Sequence, residues 1–183
     1  LWMRIGAIAR KSKRRHAAIA YVTNDLIGFE PGDLLIVDAS EPVIRAGGTN
    51  AKLLVKLTRK GVVLHSCPGL HAKVLLLDDV AVIGSGNMSE SSRCTLVEAA
   101  IMTDATNVVS GVASLIEQLK RQSVQLDERA LRAVAGIKVV RRGFGLGGQT
   151  RKRKIAKISA LGAQTWLVGV YEDYEPTISE QKM

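Results

Sequence analysis

The sequence predicts an α/β fold in which a mixed β-sheet is flanked by helices, with a basic C-terminal extension. Short apolar runs such as Leu34–Val37 and Val80–Ile83 have the length of buried strands, and they alternate with helical patterns of roughly ten residues or more. With 183 residues, of which 46% are hydrophobic, the chain is long enough for one well-packed domain. We expect this domain at residues 1–123 and the extension at residues 124–183.

Six strands are predicted from short apolar runs bounded by turn residues. In chain order they are Ala17–Thr23, Leu34–Val37, Val62–His65, Leu70–Leu77, Val80–Ile83 and Thr95–Met102. Asp78 and Asp79 form a two-residue turn, which pairs the strands on either side of it as a hairpin. Trp166–Tyr171 is a candidate for a last strand in the extension.

Three helices are predicted from the spacing of apolar residues and from capping residues, at Asn50–Lys60, Ala105–Arg121 and Asp127–Ala135. Thr49 is the expected N-cap of the first helix, and Gly61 is expected to end it. Asp104 is the expected N-cap of the second helix. The alternation of these helices with strands is typical of an α/β fold.

The charge of the chain indicates a polyanionic partner. Lys and Arg number 26 against 17 Asp and Glu, and the formal charge of +9 favours nucleic acid or an acidic membrane surface without choosing between them. The apolar runs are too short to span a bilayer, so we expect no stable membrane insertion. The first ten residues lack the features of a signal peptide, so a cytoplasmic location is the default expectation. Leu1 suggests that the sequence begins inside a longer chain.

No metal site or cofactor site is predicted. Cys67 and Cys94 lack the spacing of a zinc site or a redox pair, and we interpret both as reduced thiols. The carboxylates of Asp78 and Asp79 diverge at a turn, and no other acid is placed to complete an oxygen shell. The glycine-rich stretch 143–148 is followed by basic residues instead of an amphipathic helix, so it is interpreted as a linker and not as a dinucleotide loop.

Residues suited to phosphate chemistry gather on the predicted hairpin. His71 and Lys73 are two residues apart in a predicted strand, so their side chains are expected on one face of the sheet. The return strand leads to Ser85 and Asn87, in a loop whose glycines allow tight turns. A lysine charge and the hydrogen bonds of serine and asparagine are suited to phosphate oxygens. The hairpin thus assembles a base, a cation, a hydroxyl and an amide.

The same residues carry a family resemblance. The chain reads HAKVLLLD at residues 71–78 and GSGN at residues 84–87, which resembles the HxKxxxxD and GSxN signature of the phospholipase D superfamily. The order of elements over residues 17–121 is similar to that of the small bacterial nucleases of this superfamily, which implies a phospholipase D-like fold. Gly86 departs from the bulkier residue of many relatives. The tail after Ser123 has no counterpart in the smallest nucleases.

The resemblance implies a metal-independent double displacement. One histidine attacks phosphorus to form a phosphohistidine, a second protonates the leaving oxygen, and water then releases the product. His71 is then the catalytic histidine, Lys73 and Asn87 stabilise phosphoryl charge, and Glu98 accepts a hydrogen bond that fixes the imidazole tautomer. Asp78 has a mainly structural role. Because the chemistry needs two motifs and the chain has one, the resemblance implies a homodimer with two copies of His71 across one cleft.

Three functions remain open. The leading one is an endonuclease that hydrolyses DNA or RNA. The second is a phosphodiesterase of phospholipid headgroups, although the only candidate for an interfacial loop, Leu26 to Phe29, is equally suited to a core. The third is a catalytically silent nucleic-acid-binding module of a larger restriction or repair assembly. His16 and His65 are weak catalytic candidates, the first on a basic surface and the second in a strand.

The extension offers a candidate nucleic-acid-binding segment. Its basic residues form either a solvated face or a grip on the phosphate backbone, and both interpretations remain open. Since aromatic residues make up only 4% of the chain, stacking of bases on an aromatic platform is not expected, and binding through this segment should be sensitive to salt. The candidate binding residues are Arg141, Arg142, Arg151, Lys152, Arg153 and Lys154.

Overall fold

An eight-stranded mixed sheet forms the centre of the structure, a computed structural model that describes residues 1–140 and the backbone of residues 165–168. In chain order its strands are β1 (Arg15–Ile19), β2 (Leu34–Val37), β3 (Val63–Ser66), β4 (Lys73–Leu77), β5 (Val80–Gly84), β6 (Ala100–Thr103), β7 (Val124–Gln125) and β8 (Thr165–Val168). Across the sheet the order is β7-β3-β2-β1-β4-β5-β6-β8. The pairs β1–β2 and β2–β3 are parallel, and the other neighbours are antiparallel.

Helices cover both faces of this sheet. They are α1 (Trp2–Ala9), α2 (Glu41–Arg45), α3 (Ala51–Lys60), α4 (Glu90–Cys94), α5 (Thr106–Gln122) and α6 (Glu128–Ala135). On one face, α5 places Val112 and Ile116 against apolar side chains of β1, β2, β4 and β5. On the other face, α1, α3 and α6 contribute Ile5, Leu54 and Leu131 to a larger cluster. The predicted α/β fold, a mixed sheet flanked by helices, is confirmed.

Several predicted elements differ at their beginnings. β1 begins and ends earlier than the predicted strand, β4 begins at Lys73 instead of Leu70, and β6 begins at Ala100 instead of Thr95. The helices α1, α2 and α4 were not predicted. The buried residues of α1, Trp2, Ile5 and Ala9, nevertheless follow helical spacing.

The predicted caps are partly correct. Gly61 ends α3 in the left-handed conformation, with a φ of 95°, as expected. The N-cap of α3, however, is Asn50 and not Thr49, because the hydroxyl of Thr49 donates to the carbonyl of Asp38 at 2.7 Å. The N-cap position of α5 is held by Ala105 without a side-chain hydrogen bond, so the predicted capping role of Asp104 is wrong.

The chain after Ser123 continues the packed unit that precedes it. β7 pairs with β3, and Leu131 of α6 is fully buried in the larger apolar cluster. The expected boundary at Ser123 therefore falls inside this unit. None of the helices in residues 1–140 has the length and the hydropathy needed to cross a bilayer.

A buried ion pair fastens the beginning of β1. Arg15 Nη1 lies 3.1 Å from Asp33 Oδ2, and both side chains are less than a tenth exposed. The carboxylate of Asp33 also accepts hydrogen bonds from the backbone N–H of Arg15 at 2.9 Å and of Glu30 at 2.7 Å. Arg15 Nε donates to the carbonyl of Ala9 at 2.9 Å. The pair thus joins the end of α1 to β1 and to the beginning of β2.

Candidate active site

The strand register brings the predicted site residues to one edge of the sheet, which we call the site edge. Lys73, the first residue of β4, lies opposite Ile19, the last residue of β1. Gly84, the last residue of β5, lies opposite Ala100, the first residue of β6. The segments that carry His71, Ser85, Asn87 and Glu98 all adjoin these strand ends. Five of the six predicted catalytic residues therefore share the site edge.

Asp78 is the exception, since it lies at the opposite end of the hairpin. Its φ is 50°, and its carboxylate accepts hydrogen bonds from the backbone N–H of Lys13 and of Arg14, each at 2.9 Å. The hydrogen bond from Lys13 is the largest cause that lowers the pKa of Asp78 below its ordinary value. These contacts tie the hairpin turn to the chain before β1, which favours the structural role expected for this residue.

His71 lies in the loop before β4 and not within the strand. The prediction that strand geometry places it on the same face as Lys73 is therefore wrong. The imidazole is exposed, and its ring nitrogens make no hydrogen bond within residues 1–140. Its flanking residues are held: Leu70 is 6% exposed, and the carbonyl of Ala72 accepts a hydrogen bond from Ala20 at 2.9 Å. An accessible imidazole therefore projects from an anchored loop.

Lys73 contacts the same loop. Its ammonium donates to the carbonyl of His71 at 2.9 Å. Burial lowers the pKa of Lys73 below its ordinary value, and the negative charge of Glu98 partly offsets this effect. Lys73 thus places a positive charge beside the backbone that carries the candidate nucleophile.

Asp38, which was not predicted as a site residue, supports the candidate site from the end of β2. Its side chain is buried, and its carboxylate accepts hydrogen bonds from the backbone N–H of Ser40 at 2.9 Å and of Gly69 at 2.8 Å. Gly69 belongs to the turn that precedes His71. Asp38 therefore ties the end of β2 to the loop that carries the imidazole. The available signal was an acidic residue directly after an apolar strand.

Glu98 organises the segment between β5 and α4, which we call the 85–89 loop. Glu98 is 6% exposed, and its two oxygens accept hydrogen bonds from Ser85 Oγ and from Ser92 Oγ, each at 2.5 Å. The expected hydrogen bond from His71 is not formed within this chain. Helix α4, which was not predicted, places Ser92 against the carboxylate. Glu98 precedes β6 and is not part of it.

Asn87 is oriented by two backbone contacts. Its backbone N–H donates to Ser92 Oγ at 3.1 Å, and its Oδ1 accepts a hydrogen bond from the backbone N–H of Tyr21 at 3.3 Å. Because a backbone N–H requires an acceptor, the amide oxygen must face Tyr21, which leaves the NH₂ group to donate to a ligand. Ser92 was not singled out from the sequence, since only its tertiary contacts identify it.

Gly86 has a packing role beside α1. A Cβ atom at this position would lie 3.3 Å from Trp2 Nε1, tighter than most real contacts. Trp2 is 4% exposed, and its indole N–H has no hydrogen-bond partner among residues 1–140. The indole therefore occupies space that a larger residue at position 86 would need, which favours glycine at this position.

The other two histidines lie apart from the predicted catalytic residues: two strands separate β3, which carries His65, from β4, and His16 lies toward the end of β1 that is opposite the site edge. His65, within β3, is 7% exposed, and its Nδ1 lies 3.0 Å from Ser123 Oγ. Burial is the main cause that lowers the pKa of His65, and burial likewise lowers that of His16 in β1. Both histidines are better suited to a neutral, structural role than to catalysis.

The remaining predictions concern the two cysteines, possible metal ligands and the basic residues of the extension. Cys67 and Cys94 are free thiols, the first half-buried and the second exposed. Within residues 1–140, no three side chains of His, Cys, Asp or Glu are grouped as metal ligands would be. The six predicted nucleic-acid-binding residues, Arg141, Arg142, Arg151, Lys152, Arg153 and Lys154, lie outside the described residues, as does the glycine-rich stretch.

Solved structures of other proteins share this fold, and two of them are nucleases by name or family. Nuc from Salmonella typhimurium, described as a phospholipase D family member, superposes with a TM-score of 0.58 at 13% identity, over 68% of this chain and 89% of that chain. NucT from Helicobacter pylori superposes with a TM-score of 0.54 at 18% identity, over the same shares. No protein-family model and no curated protein sequence matches the chain. The fold is thus phospholipase D-like, as the sequence predicted.

Proposed function

We propose that this chain is a metal-independent phosphodiesterase that hydrolyses DNA or RNA. The observation that carries the proposal is the meeting of an exposed imidazole, an ammonium and a hydrogen-bonded Ser–Asn loop at one edge of a phospholipase D-like sheet. Each of these groups has a defined use in phosphoryl transfer. The fold shared with Nuc and NucT supports the same reaction class.

His71 is the nucleophile in this proposal. One of its ring nitrogens forms a bond to phosphorus, and the bond from phosphorus to the leaving oxygen breaks. The protonated imidazole of a second His71 donates its proton to that oxygen and becomes neutral. Water then attacks the phosphohistidine and gives its proton to the second imidazole, which restores both histidines and releases a phosphomonoester.

Lys73 and Asn87 hold the phosphoryl oxygens. The ammonium offers a positive charge, and the NH₂ group of Asn87 is available because its oxygen is committed to Tyr21. Glu98 acts through hydroxyl groups in this chain, since it fixes Ser85 directly and Asn87 through Ser92. This differs from the role implied by the resemblance, in which Glu98 orients an imidazole.

A second copy of the chain supplies the second imidazole. Within the described residues, each chain contributes one histidine, His71, to the candidate site, and the proposed reaction needs two imidazoles. Exposed apolar side chains lie near this edge: Leu96 is 48% and Val97 is 60% exposed, directly before Glu98. Ile83 and Ile101, which lie opposite each other on β5 and β6, are also exposed. A patch of this kind beside an incomplete site supports a twofold homodimer.

The buried contacts favour nucleic acid over a lipid surface. Ile27 and Phe29, the residues considered for an interfacial loop, are 2% and 0% exposed and belong to the core. The formal charge of +9 favours a polyanion. The burial of these residues and the charge of the whole chain therefore favour a nucleic-acid substrate over a phospholipid headgroup.

The test is cleavage of labelled single-stranded and double-stranded DNA and RNA in excess EDTA. The native chain is compared with His71→Ala and with His16→Gln, which changes a histidine away from the site edge. We expect cleavage by the native chain and by His16→Gln but not by His71→Ala. Binding without cleavage by the native chain would favour the silent module. Neither binding nor cleavage would point to a lipid or a small phosphodiester.

A further inference from the structure

A cavity that the proposed reaction does not use lies between the chain after β1, α2, α3 and the end of α6. Its volume is about 310 Å³, within the usual range of ligand pockets. Residues from the chain after β1, from α2, from the beginning of α3 and from the chain after α6 line it. Those that determine its chemistry are Thr23, Ile44, Asn50, Lys52, Ile137 and Val139.

The cavity is joined to the site edge by short hydrogen bonds. The backbone N–H of Thr23 donates to the carbonyl of Met88 at 2.8 Å, and that of Asn50 donates to the carbonyl of Val22 at 2.9 Å. Met88 follows Asn87, whose side chain is held by Tyr21. Because Tyr21 and Thr23 are two residues apart, the cavity begins about 7 Å along the chain from the Asn87 contact.

One wall of the cavity is apolar and is formed by side chains of α2 and of the segment after α6. Ile44 is 1% exposed at its base, while Ile137 and Val139 come from the segment that follows α6. This segment is fastened by a hydrogen bond from the backbone N–H of Val140 to the carbonyl of Arg45 at 2.8 Å. Aliphatic side chains of this kind are able to pack on the face of an unstacked base.

The polar rim offers donors, an acceptor and a positive charge. Asn50 Oδ1 accepts hydrogen bonds from the backbone of Lys52 and Leu53, which leaves its NH₂ group to donate. The hydroxyl of Thr23 donates to Asn24, which leaves its oxygen to accept. Lys52 is exposed, and no Asp or Glu is among the described residues that line the cavity. An apolar slot with such a rim suits a base and its phosphate.

We propose that this cavity, the flanking-base pocket, binds one unpaired nucleotide next to the scissile phosphate. The proposal rests on the proposed nuclease function and names its substrate class as single-stranded nucleic acid. In a duplex each base is stacked and paired, so a base reaches a protein pocket only after it leaves the helix. A single strand presents its bases without that cost.

The experiment fills the pocket by substitution and measures the hydrolysis of three substrates by the 183-residue chain in EDTA. Ala135→Leu adds bulk at a residue that lines the pocket, and Ala133→Leu makes the same change at an exposed position of α6. Lys52→Ala removes the charge at the rim, and Lys56→Ala removes an exposed charge elsewhere on α3. The substrates are a single-stranded oligonucleotide, the same sequence as a duplex, and bis(p-nitrophenyl) phosphate, which has no base.

We expect Ala135→Leu to lower kcat/KM for the single strand by about tenfold or more, the usual effect of a changed pocket contact. Hydrolysis of bis(p-nitrophenyl) phosphate should stay within about twofold of the native value. Lys52→Ala should lower kcat/KM for the single strand alone. Neither control variant should change kcat/KM for any of the three substrates. If Ala135→Leu and Lys52→Ala lose kcat/KM equally on all three substrates, or on none of them, the proposed role of the pocket is overturned. Cleavage of the small diester without cleavage of any nucleic acid would instead overturn the nuclease proposal.

Discussion

Replacement of Ser92 by alanine should destabilise the chain through the 85–89 loop. Ser92 is 2% exposed; its hydroxyl accepts a hydrogen bond from Asn87 at 3.1 Å and donates to Glu98 at 2.5 Å. A hydrogen bond to a charged group contributes about 1.5–3 kcal/mol, and a buried donor left without an acceptor costs about 1–3 kcal/mol. Because the two effects share one hydroxyl, we expect a loss of about 2–4 kcal/mol in the free energy of unfolding.

Urea unfolding followed by circular dichroism measures this loss. With a slope of about 2 kcal/mol per molar urea, the midpoint should fall by about 1–2 M. Ser91→Ala is the matched control, because Ser91 is the preceding residue of α4 and is exposed. Its effect should stay within about 0.5 kcal/mol. Equal midpoints for the two variants would refute the inference that Ser92 and Glu98 hold the loop.

Three further predictions concern buried carboxylates and one buried imidazole. Asp33→Ala should cost about 3–5 kcal/mol in urea unfolding, because it leaves the buried guanidinium of Arg15 without its partner; a cost below about 1 kcal/mol would contradict this. Asp38→Asn should lower kcat for bis(p-nitrophenyl) phosphate more than it changes KM, because Asp38 holds the turn before His71. Asp79 is exposed, and Asp79→Asn should change neither kcat nor KM. Identical kinetics of the two variants would exclude a positioning role for Asp38. Burial lowers the pKa of His65, so the unfolded chain binds a proton first on acidification, and stability falls as the pH drops below the ordinary imidazole value of about 6.5. His65→Leu should remove that part of the loss, and urea midpoints that fall equally in both chains from about pH 7 to about pH 5 would contradict it.

Local patterns predicted the hairpin well, while tertiary contacts determined where the flanking elements begin. The apolar runs of β2 and β5 are bounded by turn residues, so each could be located from neighbouring residues alone. Leu70 continues the alternation of β4, but it is held in a turn by a hydrogen bond to Cys67 at 3.0 Å. Ser89 caps α4 through Ser92 at 3.1 Å, which gives a helical turn where a polar loop was expected.

The site was predictable to the extent that its residues share the hairpin. His71, Lys73, Ser85 and Asn87 meet because the hairpin register follows from adjacent strands. The contact of Asp38 with the turn before His71 joins residues 31 positions apart, and no local pattern records it. The packing of Trp2 on the 85–89 loop joins still more distant segments. Motif spacing therefore located the candidate catalytic residues but not the residues that hold them.

Trapping of the covalent intermediate would show whether His71 is the nucleophile of a metal-independent phosphodiesterase. The 183-residue chain is mixed with excess bis(p-nitrophenyl) phosphate in EDTA, quenched under alkaline conditions within one turnover, and measured by intact mass spectrometry. We predict an added p-nitrophenyl phosphoryl group, mapped to the peptide containing His71 and absent from His71→Ala. Hydrolysis of the diester by the His71→Ala chain, or an adduct on another residue, would contradict the account.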